Sequence, residues 1–343
     1  MKKNLVKFLA FVILIITTAQ FAIAQNPTGY KLSNTFHIAS SGGWDYPAIE
    51  DKSNKLYISH GTQVNILDKT SGDSLGVILN TAGVHGIAFV PALNKGYTSN
   101  GRTNNVTVFE LSSGKKIGEV ATGKNPDWIM YDAFTKKVLT SNHTSGDITV
   151  IDPMNDVVVA TIPVGGSKLE TIVSDQAGKV FVNVEDKNEI VAIDLQKSEV
   201  LAHWSLAPGE EPTGLAIDPI THRLFATCAK LLVVMDATNG KIIAQLPTGE
   251  GCDGAVFDPK LKLVFTSNGE GTITVVKEVD KNTFKVVETL VSKKGARTIT
   301  IDPKTHNLYL PTADYEAPAA DGSKARPKMI PGSFQVLVYS MNK

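Results

Sequence analysis

The stretch GLAIDPITHRLFATC, Gly214 to Cys228, decides the fold. A short apolar run ends in Asp218-Pro219, a polar turn follows, and a second apolar run rich in β-forming residues ends in the small Thr227-Cys228. Two such runs separated by a turn read as an antiparallel strand pair. The same pattern recurs as YPAIEDKSNKLYISH (Tyr46 to His60), GIAFVPALNKGYTSN (Gly86 to Asn100), WIMYDAFTKKVLTSN (Trp128 to Asn142), ETIVSDQAGKVFVNV (Glu170 to Val184), GAVFDPKLKLVFTSN (Gly254 to Asn268) and TITIDPKTHNLYLPT (Thr298 to Thr312). Equivalent second-strand positions are Leu56, Gly96, Val138, Val180, Leu224, Val264 and Leu308, spaced by 40, 42, 42, 44, 40 and 44 residues. A mean period of 42 matches one four-stranded propeller blade.

Further residues complete the blade. β-branched runs such as ITVID (Ile148 to Asp152) and VVMD (Val233 to Asp236) supply a third strand. Gly-bearing turns such as Thr238-Asn239-Gly240-Lys241 lead into a fourth, for example KIIAQL (Lys241 to Leu246). No segment sustains helical periodicity, which excludes two α/β domains. The expected fold is therefore all-β: one seven-bladed propeller. The last copy lacks a fourth strand, and YKLSNTFHI (Tyr30 to Ile38) is a strand left over at the other end. Placing it as the outer strand of blade seven closes the ring and removes open sheet edges.

The N-terminus reads as a secretory signal peptide over residues 1–24. Lys2, Lys3 and Lys7 precede an apolar run from Phe8 to Ile16, and Ala22-Ile23-Ala24 offers a small-residue cleavage site. The apolar run is about half of the roughly 20 residues a spanning helix needs, so no membrane span is expected after cleavage. Residues 25–343 then form a single exported domain, periplasmic or secreted, expected as a monomer. The full chain carries 34 basic and 34 acidic residues. That balance provides no basic field for nucleic acid.

Copies such as GAVFDPKLKLVFTSNGEGTITVV, with GGWDYP, GVHGIAF, EEPTGLAIDP and PTADYEAP, resemble the YVTN-type seven-bladed propeller repeat family, in a bacterial exported form. The resemblance covers nearly all of residues 25–343. It implies the propeller fold and leaves function open, because that fold hosts binding proteins, surface-layer proteins, lactonases and domains of redox enzymes.

In such a propeller the first strands line a central channel. Counting five residues back from each first-strand end gives Asp45, His85, Asp127, Leu169, Thr213, Asp253 and Arg297, and the next position holds Tyr46, Gly86, Trp128, Glu170, Gly214, Gly254 and Thr298. Second strands return to the same mouth with His60, Asn100, Asn142, Val184, Cys228, Asn268 and Thr312. The chemical variety around one ring suggests a ligand-shaped mouth. The plain alternative is a wet channel rim with Asn and Ser capping strand ends. The candidate ligand residues are Trp44, Asp45, Tyr46, His60, His85, Asn100, Asp127, Trp128, Asn142, Glu170, Asp253, Asn268 and Arg297. Asp45, His85, Asp127, Glu170 and Asp253 are candidates for holding a divalent metal: carboxylates and Asn suit Ca²⁺, and His60, His85 or His143 beside Asp suit Zn²⁺ or Cu²⁺.

Cys228 and Cys252 fall at one mouth on neighbouring blades, so a disulfide is expected against the alternative of two buried thiols. The Pro-rich stretch 313–332 is longer than a hairpin loop and is expected to lie across the mouth, with Arg326 and Lys328 offered to an anion. His222 and His306 sit in DP-x-T-H turns on the opposite face and read as turn residues. The expected function is a binding or scaffold protein using the mouth for a small polar molecule, a metal or a protein partner. The alternatives are a metal-dependent lactonase-like hydrolase, in which a channel cation binds substrate oxygens, and an accessory to a periplasmic redox system.

Overall fold

The computed structural model describes residues 28–40, 42–316 and 328–341. The signal segment 1–24, its cleavage site and Arg326 lie outside the described residues.

Seven four-stranded antiparallel sheets form the ring, and each runs inward to outward in chain order except the last. The repeat unit Gly214 to Cys228 supplies the two inner strands of a blade, Leu215–Asp218 and Arg223–Cys228, followed by Leu231–Asp236 and Ile242–Pro247. In blade seven the order from the axis is Thr300–Ile301, Leu308–Thr312, Gln335–Met341 and then Tyr30–His37. The N-terminal strand pairs along its whole length with the C-terminal one, from Tyr30 opposite Met341 to His37 opposite Gln335. The expected closure is therefore present.

The seven equivalent second-strand positions are buried at the heart of their blades. Leu56 faces Leu67, Val138 faces Ile151, Val180 faces Ile193, Leu224 faces Met235 and Val264 faces Val276 across the sheet. Blade two inverts the sizes: Gly96 faces Phe109, and a Cβ added to Gly96 would stand 2.1 Å from the Phe109 ring. Gly96→Leu should therefore destabilise the ring by about 2–3 kcal/mol through overpacking. Gly96→Leu with Phe109→Leu recreates the Leu–Leu pair of blade one and should recover most of that loss. Denaturant titration of the two variants checks both halves of this expectation.

The acid that ends a first strand ties neighbouring blades together on the face opposite the mouth. Asp218 accepts backbone N–H of Ile220 and pairs with Lys262 at 2.7 Å; Asp302 accepts from Lys304 and pairs with Lys69 at 2.9 Å. His306 adopts the left-handed turn conformation expected of its position, φ 63°, and also reaches Asp258 at 2.5 Å. It is a turn residue and an inter-blade tie at once.

Candidate functional site

At the mouth, the first strands enter through β-bulges. In blades one to four, two residues oppose a single second-strand residue, between Trp44 and Pro47, Val84 and Ile87, Pro126 and Ile129, and Leu169 and Ile172. Blade six has one extra residue between Cys252 and Gly254. A bulge re-aims a side chain without ending the sheet. The residue so re-aimed is Asp45, His85, Asp127, Glu170 and Asp253 respectively.

This register corrects one position of the expected ring. Leu169 pairs with Val184 as Trp44 pairs with His60, so Leu169 is buried in the blade and Glu170 takes the ring position. With Thr213 and Arg297 from blades five and seven, all seven ring positions are polar.

The ring is cross-linked over the channel. Asp45 Oδ1 lies 3.3 Å from Arg297 Nη2, and Asp253 Oδ2 lies 2.6 Å from Arg297 Nε. His85 Nδ1 stands 2.7 Å from Asp45 and 3.0 Å from Asp127. Beneath this layer the Tyr46 hydroxyl donates to Asp127 at 3.3 Å, and its ring meets Trp128 edge-on with centroids 4.7 Å apart. Thr298 donates its hydroxyl to the Asp45 carbonyl. Residues from five blades thus form a charged plug across the channel.

Burial and mutual repulsion shape its protonation. Burial pushes the Glu170 carboxyl up to about 9, helped by Asp253 and the neighbouring Glu185. Burial also raises Asp127 well above the carboxylate range, with Glu170 adding to it and His85 opposing. Asp253 is pushed up to about 6 by burial, against the pull of Arg297. For His85 burial disfavours the charge, yet the hydrogen bond to Asp45 and the charges of Asp127, Asp45 and Glu170 outweigh it and hold the imidazole at about 9.

A pH dependence follows. Glu170 binds its proton more tightly folded than unfolded, about 9 against 4.5, so the stability it contributes is complete below pH 4.5 and is withdrawn as pH climbs through 9. His85 behaves alike between 6.5 and about 9. Each group alone should withdraw on the order of 3 kcal/mol between pH 6.5 and 9.5, on the order of 6 together. Glu170→Gln, neutral at every pH, should be folded at pH 7 and should flatten this decline. Thermal melts across that range check it, and an equal decline in the variant would contradict it.

Two basins flank Arg297 on the solvent side. One, of about 350 Å³, is lined by Trp44, Asp45, His85, Arg102, Asn125 and Arg297 among others. The other, of about 270 Å³, carries Glu185, Glu211, Thr213, Asp253 and Arg297. The charge of the mouth is therefore uneven: Arg102, Asn125, His85 and the shared Arg297 outweigh the single carboxylate of Asp45 in the first basin, whereas Glu185, Glu211 and Asp253 outweigh Arg297 in the second.

Other expected mouth residues have different duties. Asn100, Asn142 and Asn268 are buried and lock second strands to third strands: Asn100 Nδ2 donates to Thr107 and Asn105, Asn142 Nδ2 to Thr149 and Asp147, Asn268 Nδ2 to Thr274 and Thr272. His60 stacks on Phe334 at 3.9 Å and is held by Ser40 and the Gly42 carbonyl; burial lowers its pKa. Trp44 packs against Phe334 and Tyr315. None of these five joins the ion pairs of the plug.

The expected disulfide is not formed. Cys228 and Cys252 are free, buried thiols pushed up to about 12 by burial. Cys228 belongs to the apolar layer with Leu206, Leu215 and Val233, whereas Cys252 lies beside the hydroxyls of Thr227 and Thr266. The sulfurs face different layers. Of the long loop, only the stem is described: Tyr315 bridges Met329, Glu316 N–H donates to the Lys328 carbonyl, and Lys328 is exposed. The expectation of a lid falls on residues 317–327, outside the described residues.

Two further mouth residues, Glu185 and Arg102, are not among the expected ones, and His143 is expected only as a metal ligand. The residue after each second-strand end includes His143, whose Nδ1 lies 3.0 Å from Glu170, and Glu185, paired with Lys168 at 2.6 Å. Arg102 lies one residue further along blade two. Continuing the repeat alignment by two columns finds all three.

The fold and this mouth define a seven-bladed propeller whose channel is plugged by a buried ion network. No protein-family model matches the chain, and no curated protein matches its sequence. Among solved structures it is similar to hydrazine synthase of Kuenenia stuttgartiensis, with a TM-score of 0.70 and 15% identity over 80% of this chain and 94% of that one. At that identity the likeness is one of fold.

Proposed function

We propose that this chain is an exported binding protein, built from YVTN-type repeats, that takes a small zwitterionic molecule at its channel mouth. The observation that carries the reading is the division of the mouth about Arg297. Its guanidinium is held by Asp45 and Asp253 through Nε and Nη2, and the side chain remains 37% exposed where the two basins meet. An anionic group suits Arg102, Asn125 and Arg297, and a cationic group suits Glu185 and Glu211 across the same mouth. A ligand with one charge sign satisfies only half of it.

Calorimetric titration with a panel of free amino acids and betaines tests this. At least one member should bind saturably, and Arg102→Ala and Glu211→Ala, both at exposed positions, should each weaken it about tenfold, the loss of one charge-assisted hydrogen bond. Absence of saturable binding across the panel, or an affinity unchanged from the native protein in either variant, contradicts the reading.

A second reading rests on Asp45, His85 and Asp127, whose donor atoms lie within 4.8 Å of one another and could hold a divalent cation for lactone hydrolysis. A metal there must displace the His85 proton, so uptake should strengthen with pH. Metal content after desalting at pH 6 and pH 9, in the protein and in His85→Ala, separates the two readings. The redox-accessory alternative gains nothing from the likeness to hydrazine synthase, which is one of fold.

A further inference from the structure

The outer strand of each blade leaves one backbone edge without a partner strand, and such edges are commonly guarded by a charge or a proline. Blades two, four, six and seven carry a charge there, at Lys116, Glu199, Lys285 and Lys31, and the outer strands of blades three and five end in Pro163 and Pro247. The outer strand of blade one, Ser74–Leu79, has neither. We propose that this edge pairs with the same strand of a second copy of the chain, antiparallel about a twofold axis at Val77, so that the protein is a homodimer.

The strand exposes an apolar row. Leu75, Val77 and Leu79 alternate along it and so share a face, and they are 52%, 40% and 59% exposed. Behind them the third strand is polar: Asn65 lies opposite Val77 and Gln63 opposite Leu79. Ile78 points the other way and is buried with Val64, Ile66 and Phe109 on the side of blade two. In a single copy the row is left to water. A register shift near the start of the outer strand recurs in blades one to six, so it does not set this edge apart.

The strand is complementary to itself. Pairing about Val77 sets Leu75 of one copy opposite Leu79 of the other and Val77 opposite Val77, so two rows of three merge into one apolar band across an eight-stranded sheet. On the other face Gly76, which has no side chain, meets Ile78. The flanking Asp73 meets Thr81, so no charge faces a like charge. An extended segment of another protein could satisfy the backbone, but every copy of this chain already carries the matching row in register. The pairing departs from the monomer expected of the sequence. Because the contact is one strand edge, it falls at the small end of specific interfaces, and the dimer should form at micromolar concentration.

Sedimentation velocity of the native protein from about 1 to 200 µM tests this, and should show a monomer passing into a dimer. Val77→Lys places two ammonium groups against each other at the axis and should weaken the dimer about tenfold or more. Leu79→Glu, which puts a charge into the apolar band, is the second variant; both positions are exposed, so the fold is kept. Cross-linking reads the register. Val77→Cys should form a disulfide with its own copy under air oxidation, and Leu75→Cys mixed with Leu79→Cys should cross-link far more than either alone. The native Cys228 and Cys252 are buried and stay out of this exchange. The proposal is overturned by a monomer at every concentration, by native dimer affinity in both Val77→Lys and Leu79→Glu, or by a dimer in which Val77→Cys does not cross-link.

Discussion

A chain beginning at Gly42 is expected to show no cooperative unfolding transition. The strand it lacks, Tyr30–His37, is the outer strand of blade seven, and its removal exposes the backbone edge of Gln335–Met341 along its whole length. Buried apolar contacts are lost as well. Tyr30 meets Phe265 of blade six edge-on at 5.0 Å and donates its hydroxyl to the His306 carbonyl; Phe36 packs on Tyr309 and fills the space above Gly72, where a Cβ would stand 2.3 Å from the ring. Each aromatic resembles a core Phe whose truncation costs about 3–5 kcal/mol, and their sum is comparable with a whole domain's stability. The strand thus fastens blade seven to blades six and one. Phe36→Ala alone should cost about 3–4 kcal/mol by denaturant titration. A Gly42-start protein melting as sharply and at the same temperature as the full chain would refute this account of closure.

The second large effect is expected at Arg297. Arg297→Met keeps the length of the side chain and leaves Asp45 and Asp253 facing each other without their shared cation. Breaking a buried pair by removing one partner typically costs about 3–5 kcal/mol, because a buried charge is left uncompensated. The loss should depend on pH in a defined direction. Arg297 is what holds Asp253 down against burial, so without it the carboxyl takes up a proton more readily and the defect relative to the native protein shrinks as pH falls. Arg297→Lys should recover only part, since a point charge cannot serve Asp253 through Nε and Asp45 through Nη2 together. Denaturant titrations at pH 5 and pH 8 decide this; a loss below about 1 kcal/mol, or one independent of pH, contradicts it.

The architecture was legible because each blade repeats an apolar inner pair, and in blades five to seven an acid at the first-strand end also ties to the next blade. Asp218, Asp258 and Asp302 announced that device in the letters DP. The ring was legible at Asp45, His85, Asp127 and Asp253, where counting from the strand end reaches the bulge, and at Arg297, which the same count reaches in blade seven. In blade four the count failed at Leu169, because the apolar run ends one residue before its structural equivalent. The Asn positions misled in another way. Thr-x-Asn at a second-strand end looks like a rim donor, yet an acceptor two or more residues into the third strand, such as Thr107 or Thr149, takes the amide inside the blade. The thiols could not be paired from spacing, because adjacent blades present their strand ends to different layers.

The central claim is that the divided mouth around Arg297 holds a small zwitterion. Its most direct measurement is a crystal structure of the protein purified without denaturation from its native host. The account predicts one continuous ligand density spanning from Arg102 and Arg297 to Glu185 and Glu211. Ordered water alone in both basins, or a ligand bound elsewhere while the mouth holds only water, would contradict it.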